Sequence, residues 1–177
     1  EKLYRRNPRE WKKVGQPSLE AAVARIFDNN QWPELEGRRE AQATLLAFRE
    51  DYHGDRVLAL MAGVNGMVQA AYEHKTDFYV LDGLDAQKLY NCARNLETVA
   101  WRLNNNRNVE GELYILSNEP DAAVRNLSFE REIGRLVGLL DFLSVVVADK
   151  NGRTVNRVMQ NLAPAVFLPV AALTPIK

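Results

Sequence analysis

The chain has 177 residues, 46% of them hydrophobic and 26% charged, with Lys plus Arg matched by Asp plus Glu at 23 each. A chain of this length makes one domain that buries roughly 70% of its unfolded surface, so no disulfide or metal staple is required. The zero net charge excludes the whole-chain electrostatic footprint of a nucleic-acid binder, and the lone cysteine, Cys92, excludes an internal disulfide.

Residues 1–17 read as a basic N-terminal arm. Lys2, Arg5, Arg6, Arg9, Lys12 and Lys13 oppose only Glu1 and Glu10, a net of +4, which suits a solvated first helix or contact with an anionic membrane surface. Asn7-Pro8 predicts an N-cap followed by Pro at the first helical position, opening a helix through Lys13 that Gly15-Gln16-Pro17 ends. Residues 18–177 read as a single helical domain. Ser18 caps a helix carrying Leu19, Ala22, Val23, Ile26 and Phe27 on one face, and Asn29 to Pro33 breaks it. The spacing of Ala41, Leu45, Phe48 and Tyr52 predicts a helix from about Glu36 to Tyr52, stopped by Gly54.

Asp55 then caps the most informative segment, Val57 to Tyr72, sixteen residues without a charge. At 100° per residue its bulky side chains form one stripe, while Ala59, Ala62, Gly63, Gly66 and Ala70 gather opposite. Such a helix belongs at the centre of a fold, because the small face lets another backbone approach closely. His53 and His74 flank it. Standing 21 positions apart, roughly 30 Å along a continuous helix, they cannot share a metal or form one dyad.

Asp85 caps an amphipathic helix to about Leu103, with Cys92 on its apolar face beside Leu89, Leu96 and Val99 as a small buried residue. The segments 78–81 and 112–116 are strand candidates, and pairing across that helix would make a small parallel βαβ unit; two such strands alone are marginal. A long helix from Ser128 to Lys150 is apolar in every direction between Ile133 and Val147, which predicts a second central helix in which Arg135 and Asp141 need partners. A last helix starts near Thr154 with Val155, Val158, Met159 and Leu162. Val158 to Ile176 is free of charge and nearly long enough to cross a bilayer, but three prolines, Gln160 and Asn161 favour a C-terminal helix and extended tail docked on the domain.

No Gly-rich phosphate loop, His-Glu-x-x-His, Gly-x-Ser-x-Gly or Cys-x-x-Cys is present, so no catalytic residue, metal set or cofactor is assigned. The best polar constellation comprises Asp82, Asp85, Lys88, Asn91, Arg94, Asn95, Asn126, Glu130 and Arg131, gathered at helix beginnings and on the polar side of residues 85–103. Helix N-termini with nearby arginines bind anions. The competing account makes Asp85 and Ser128 caps, pairs Glu132 with Arg135, and gives Asn126 a turn.

The runs Gly63-Val64-Asn65-Gly66-Met67, Leu81-Asp82, Leu84-Asp85, Gln87 to Asn91 and Ala93-Arg94-Asn95, then Asn126 to Arg131 and Val166-Phe167-Leu168-Pro169, resemble a family of bacterial envelope lipoproteins of unknown function, over roughly residues 50–170. The resemblance implies a lipid-anchored precursor at the periplasmic face of a membrane, an N-terminal segment preceding Glu1, and a tail that is not a membrane span. It implies no activity.

The expectation is therefore a mainly α, single-domain multi-helix bundle around two central apolar helices, about 57–73 and 128–150. Its leading function is a non-catalytic binding or scaffolding protein of the cell envelope, with an unknown envelope protein as partner. One alternative is a small-ligand receptor or enzyme centred on Asp82, Arg94, Glu130 and Arg131, with a cytoplasmic location the alternative to the periplasm. Another is a soluble fragment of a membrane protein, which requires apolar sequence beyond Lys177.

Overall fold

A charge-free stretch in so charged a chain is stable only when other elements cover it, and the computed structural model shows what covers Val57 to Tyr72. The structure describes residues 1–28, 32–78, 83–119, 126–152, 155 and 166–170. Among the described residues there are seven α-helices and no strand: α1 (Lys2–Arg6), α2 (Pro8–Lys13), α3 (Leu19–Ile26), α4 (Glu40–Leu46), α5 (Arg56–Ala71), α6 (Ala86–Asn105) and α7 (Ser128–Lys150), with a 3-10 turn at Pro33–Leu35. The protein is a mainly α-helical bundle.

α5 is its centre. Val57, Leu58, Leu60, Val64 and Met67 are buried, and so are Ala59, Ala62, Gly63 and Ala70. The small face does what its composition predicts. A Cβ built on Gly63 would stand 2.5 Å from the Glu40 carbonyl oxygen and 2.6 Å from the Thr44 amide nitrogen, so the α4 and α5 backbones meet there. Continuous α5 keeps His53 and His74 at opposite ends.

The start of α5 is fixed by a buried polar knot. The Asp55 carboxylate accepts from the Leu58 amide at 2.9 Å and from the Tyr4 hydroxyl at 2.7 Å, which ties α1 to the central helix at a group only 1% exposed. Burial raises the Asp55 carboxyl above the usual range, against the pull of those two donors. Burial, with the Asp55 charge second, also pushes the Tyr4 phenol far up; burial followed by Glu34 raises Tyr52. These protons are held more tightly folded than unfolded, so the stability they contribute is complete below the ordinary tyrosine value, about 10, and is lost as pH rises above it. The Cys92 thiol, pushed up to about 12 by burial, has the same sign from a lower starting point. Urea midpoints are expected to be level to about pH 8.5 and to fall steadily by pH 11, with a shallower fall in Tyr4→Phe. A level profile to pH 11 would contradict the arrangement.

Four expectations need correction. The helix expected from Glu36 to Tyr52 is only α4, because Glu36 and Gly37 take left-handed backbone angles of 53° and 73° and turns replace helix after Leu46. Asn7 is the N-cap residue of α2, which runs from Pro8 to Lys13 as expected, but its side chain makes no capping bond. Its amide instead donates to the Leu116 carbonyl at 2.9 Å and accepts from the Leu116 amide at 2.8 Å. That clamp, together with burial of Ile115 and an edge contact of Tyr114 on Phe48, holds 112–116 without strand partners. Leu113 makes one isolated antiparallel bridge with Arg107, and among the described residues 112–116 form no strand. Of the other strand candidate only Phe78 is described, stacked edge-on against Tyr72. The helix expected from Thr154 falls almost wholly outside the described residues.

The fourth correction concerns α7. It packs on α6 through Ile133, Leu140, Ser144, Val147 and Ala148, while Leu139, Phe142, Val145 and Val146 are 63%, 70%, 50% and 44% exposed. Apolar residues all round an axis predict cover on both sides. Among the described residues cover lies on the α6 side, and there α7 is an outer layer on a bundle centred on α5. Arg135 pairs with Glu132 at 3.4 Å on the surface, and Asp141 pairs with Arg94.

Candidate functional site

α6 places most of the expected polar site, and its periodicity decides which residues meet. Asp85 is the N-cap, its carboxylate accepting from the Gln87 and Lys88 amides at 2.8 and 3.3 Å. Lys88 reaches back across the connection to Glu73 at 3.1 Å. One turn further, Gln87 donates to the Asn91 side-chain oxygen at 2.9 Å, which aims the Asn91 amide at the Pro169 carbonyl, 2.8 Å away. Asn95, fully buried one turn beyond, accepts from the Leu168 amide at 2.7 Å and donates to the Leu168 carbonyl at 2.8 Å. A carboxamide carries one acceptor and two donors in a plane, so it can satisfy both backbone groups of one extended residue at once.

The asparagine line is therefore an internal clamp. It holds residues 166–170 against α6 and seats Val170, 3% exposed, in the core. Asn7 on Leu116 repeats the same device at the other end of the molecule. The extended, docked tail expected from the prolines is seen over these five residues.

Arg94 points to the α7 side. Its guanidinium lies 3.0 Å from Glu97 and 2.5 Å from Asp141, stacked over the Tyr90 ring at 5.1 Å. The Glu97 carboxyl is raised by burial against the opposing pull of Arg94. A cavity of about 340 Å³ opens here, lined by Tyr90, Arg94, Asp141, Ser144, Val145 and Val155. Two carboxylates on one guanidinium leave it no surplus positive charge for an anionic ligand.

The remaining candidates stand elsewhere. The Asn126 side chain accepts from the Ser128 amide at 3.1 Å, so Asn126 rather than Ser128 orders the start of α7, and the Ser128 hydroxyl takes a bond from Arg6 at 3.2 Å. Glu130 accepts from the Ser117 hydroxyl at 2.6 Å, and Arg131 is exposed. Glu130 and Arg131 lie ten or eleven residues before Asp141 on α7, roughly 15 Å along the axis from Arg94. Asp82 lies outside the described residues. The structure thus joins Asn91 with Asn95 and separates both from Arg94, and Arg94 from Glu130 and Arg131.

Among the described residues no group of three His, Cys, Asp or Glu side chains gathers as a metal site. No described helix is long and apolar enough to cross a membrane. An apolar pouch of about 280 Å³ lies between Tyr72, Phe78, Leu84, Leu143 and Val147. Composition missed the feature that stands out most, the bare outer side of α7. Its signal was present in the sequence as the 139, 142, 146 spacing, but an all-round apolar helix does not announce which side is left open. Comparison with known proteins finds no match to the chain among family models, curated proteins or solved structures.

Proposed function

We propose that this is a non-catalytic binding or scaffolding protein of the bacterial cell envelope, and that its binding surface is the outer face of α7. One observation carries the binding half: Leu139, Phe142, Val145 and Val146 form a contiguous exposed apolar stripe, the kind of surface that marks an interaction site on a folded domain. The dispersal of the polar candidates supports the non-catalytic half. A catalytic site needs several titratable groups converging in one concavity, whereas Lys88, Arg94 and Glu130 each have a local structural partner.

The envelope location rests on the sequence resemblance over residues 50–170. Intact mass and membrane fractionation of the full-length protein from its host test it. A diacylglyceryl or triacylated N-terminal cysteine in the envelope fraction is the expected result. An unmodified protein in the cytosol overturns the location and leaves the binding surface to be judged separately.

A further inference from the structure

On the reading that α7 is the binding surface, we infer that its partner is a second copy of this chain, docked antiparallel about a two-fold axis through Phe142. The stripe is built for that register. Arg135, Leu139, Phe142, Val146 and Asp149 follow one another at intervals of four, three, four and three residues, all exposed, which is the spacing of a helix–helix seam. The side chains buried on α6, Ile133, Leu140, Ser144 and Val147, point the opposite way, so a second helix can seat on the outer face without disturbing the bundle.

The ends of the seam decide its direction. Arg135 and Asp149 stand seven residues to either side of Phe142, about 10 Å each way along the axis. In an antiparallel pair each Arg135 meets the partner's Asp149, and two opposite-charge contacts close the seam. A parallel pair sets arginine on arginine and aspartate on aspartate. Shape agrees with charge. A Cβ on Gly138 would meet nothing within 4 Å, and the antiparallel register places this gap across from the partner's Val146. Leu139 lies across from the partner's Val145, and the two Phe142 rings meet on the axis, where offset or edge contact is favoured. An isologous contact of this kind closes on itself and leaves no second sticky face.

The seam is short. About 21 Å of helix buries less than the roughly 800 Å² per partner of a standard stable interface, so the dimer is reversible and dissociates on dilution. Sedimentation equilibrium of the purified chain, followed from about 200 to about 1 μM, tests this. The expected result is twice the chain mass at the high end and the single mass at the low end. Phe142→Glu weakens association at least about tenfold with an unchanged melting curve, as does Arg135→Glu, and the double variant Arg135→Glu/Asp149→Arg restores it. A monomer at every concentration, a dimer indifferent to Phe142→Glu, or a charge swap that fails to restore association overturns the proposal. That failure is separable from failure of the binding reading, which is lost only if the α7 face meets no partner of any kind in the host.

Discussion

Gly63→Ala is expected to lower the unfolding free energy by about 3 kcal/mol, although it adds one methyl group and improves helix propensity. The added carbon would lie within 2.6 Å of the Glu40 carbonyl oxygen and the Thr44 amide nitrogen, and backbone in α4 cannot swing aside as a side chain can. The same substitution at Gly66 meets the Glu40 side chain and backbone no nearer than 3.4 Å, so its cost is expected below about 1 kcal/mol. At Gly134, where nothing stands within 4 Å, alanine is expected to stabilise by roughly 0.5–1 kcal/mol. Urea unfolding of the three variants checks the order. A Gly63→Ala protein as stable as the parent would mean that α4 and α5 do not meet as described.

The second large effect is expected at Asn95. Asn95→Asp keeps the shape but loses the donor to the Leu168 carbonyl and places a carboxylate where the wild-type side chain is fully buried. The cost at neutral pH is roughly 3 kcal/mol. Its carboxyl is pushed upward in the folded state, so the loss is greatest above the ordinary carboxylate range and recovers as pH falls through it, when the protonated acid can again donate. Asn95→Ala loses both bonds to Leu168 and shows no such recovery. If Asn95 served a ligand and not the fold, both variants would melt with the parent.

How far residues alone led can be argued from the same positions. Gly63 was legible because a helix with no charge and a row of small residues has one physical use, burial with a close neighbour. Asp55 was legible as a cap because capping is local, three residues from donor to acceptor. The asparagines were not. Asn91 and Asn95 bond to backbone 78 and 73 residues away, and Asn7 to backbone 109 away, and nothing in the periodicity of a helix says where an extended strand of chain will cross it. The polar line therefore looked like an open site when it is an interior clamp. Asp141 was legible as a charge needing a partner, but that the partner is Arg94, read as part of an open site, was not. The failure at Glu36 to Tyr52 has a different cause. Apolar spacing ran on from Ala41 to Tyr52, while left-handed backbone at Glu36 and Gly37 kept the helix from starting there and turns after Leu46 ended it before the pattern ended.

The proposed function rests on what these contacts leave over. The polar groups that could have formed a site are mostly engaged in holding elements together, and the principal unengaged surface is apolar and lies along α7. The most direct measurement is site-specific photo-crosslinking in the native host, with the reactive side chain at position 142 and a control at Val109, an isolated exposed apolar residue on a loop. A discrete adduct from position 142, absent at position 109, is the predicted result. No adduct at 142, or the same spread of adducts at both positions, would contradict the assignment of α7 as the working surface.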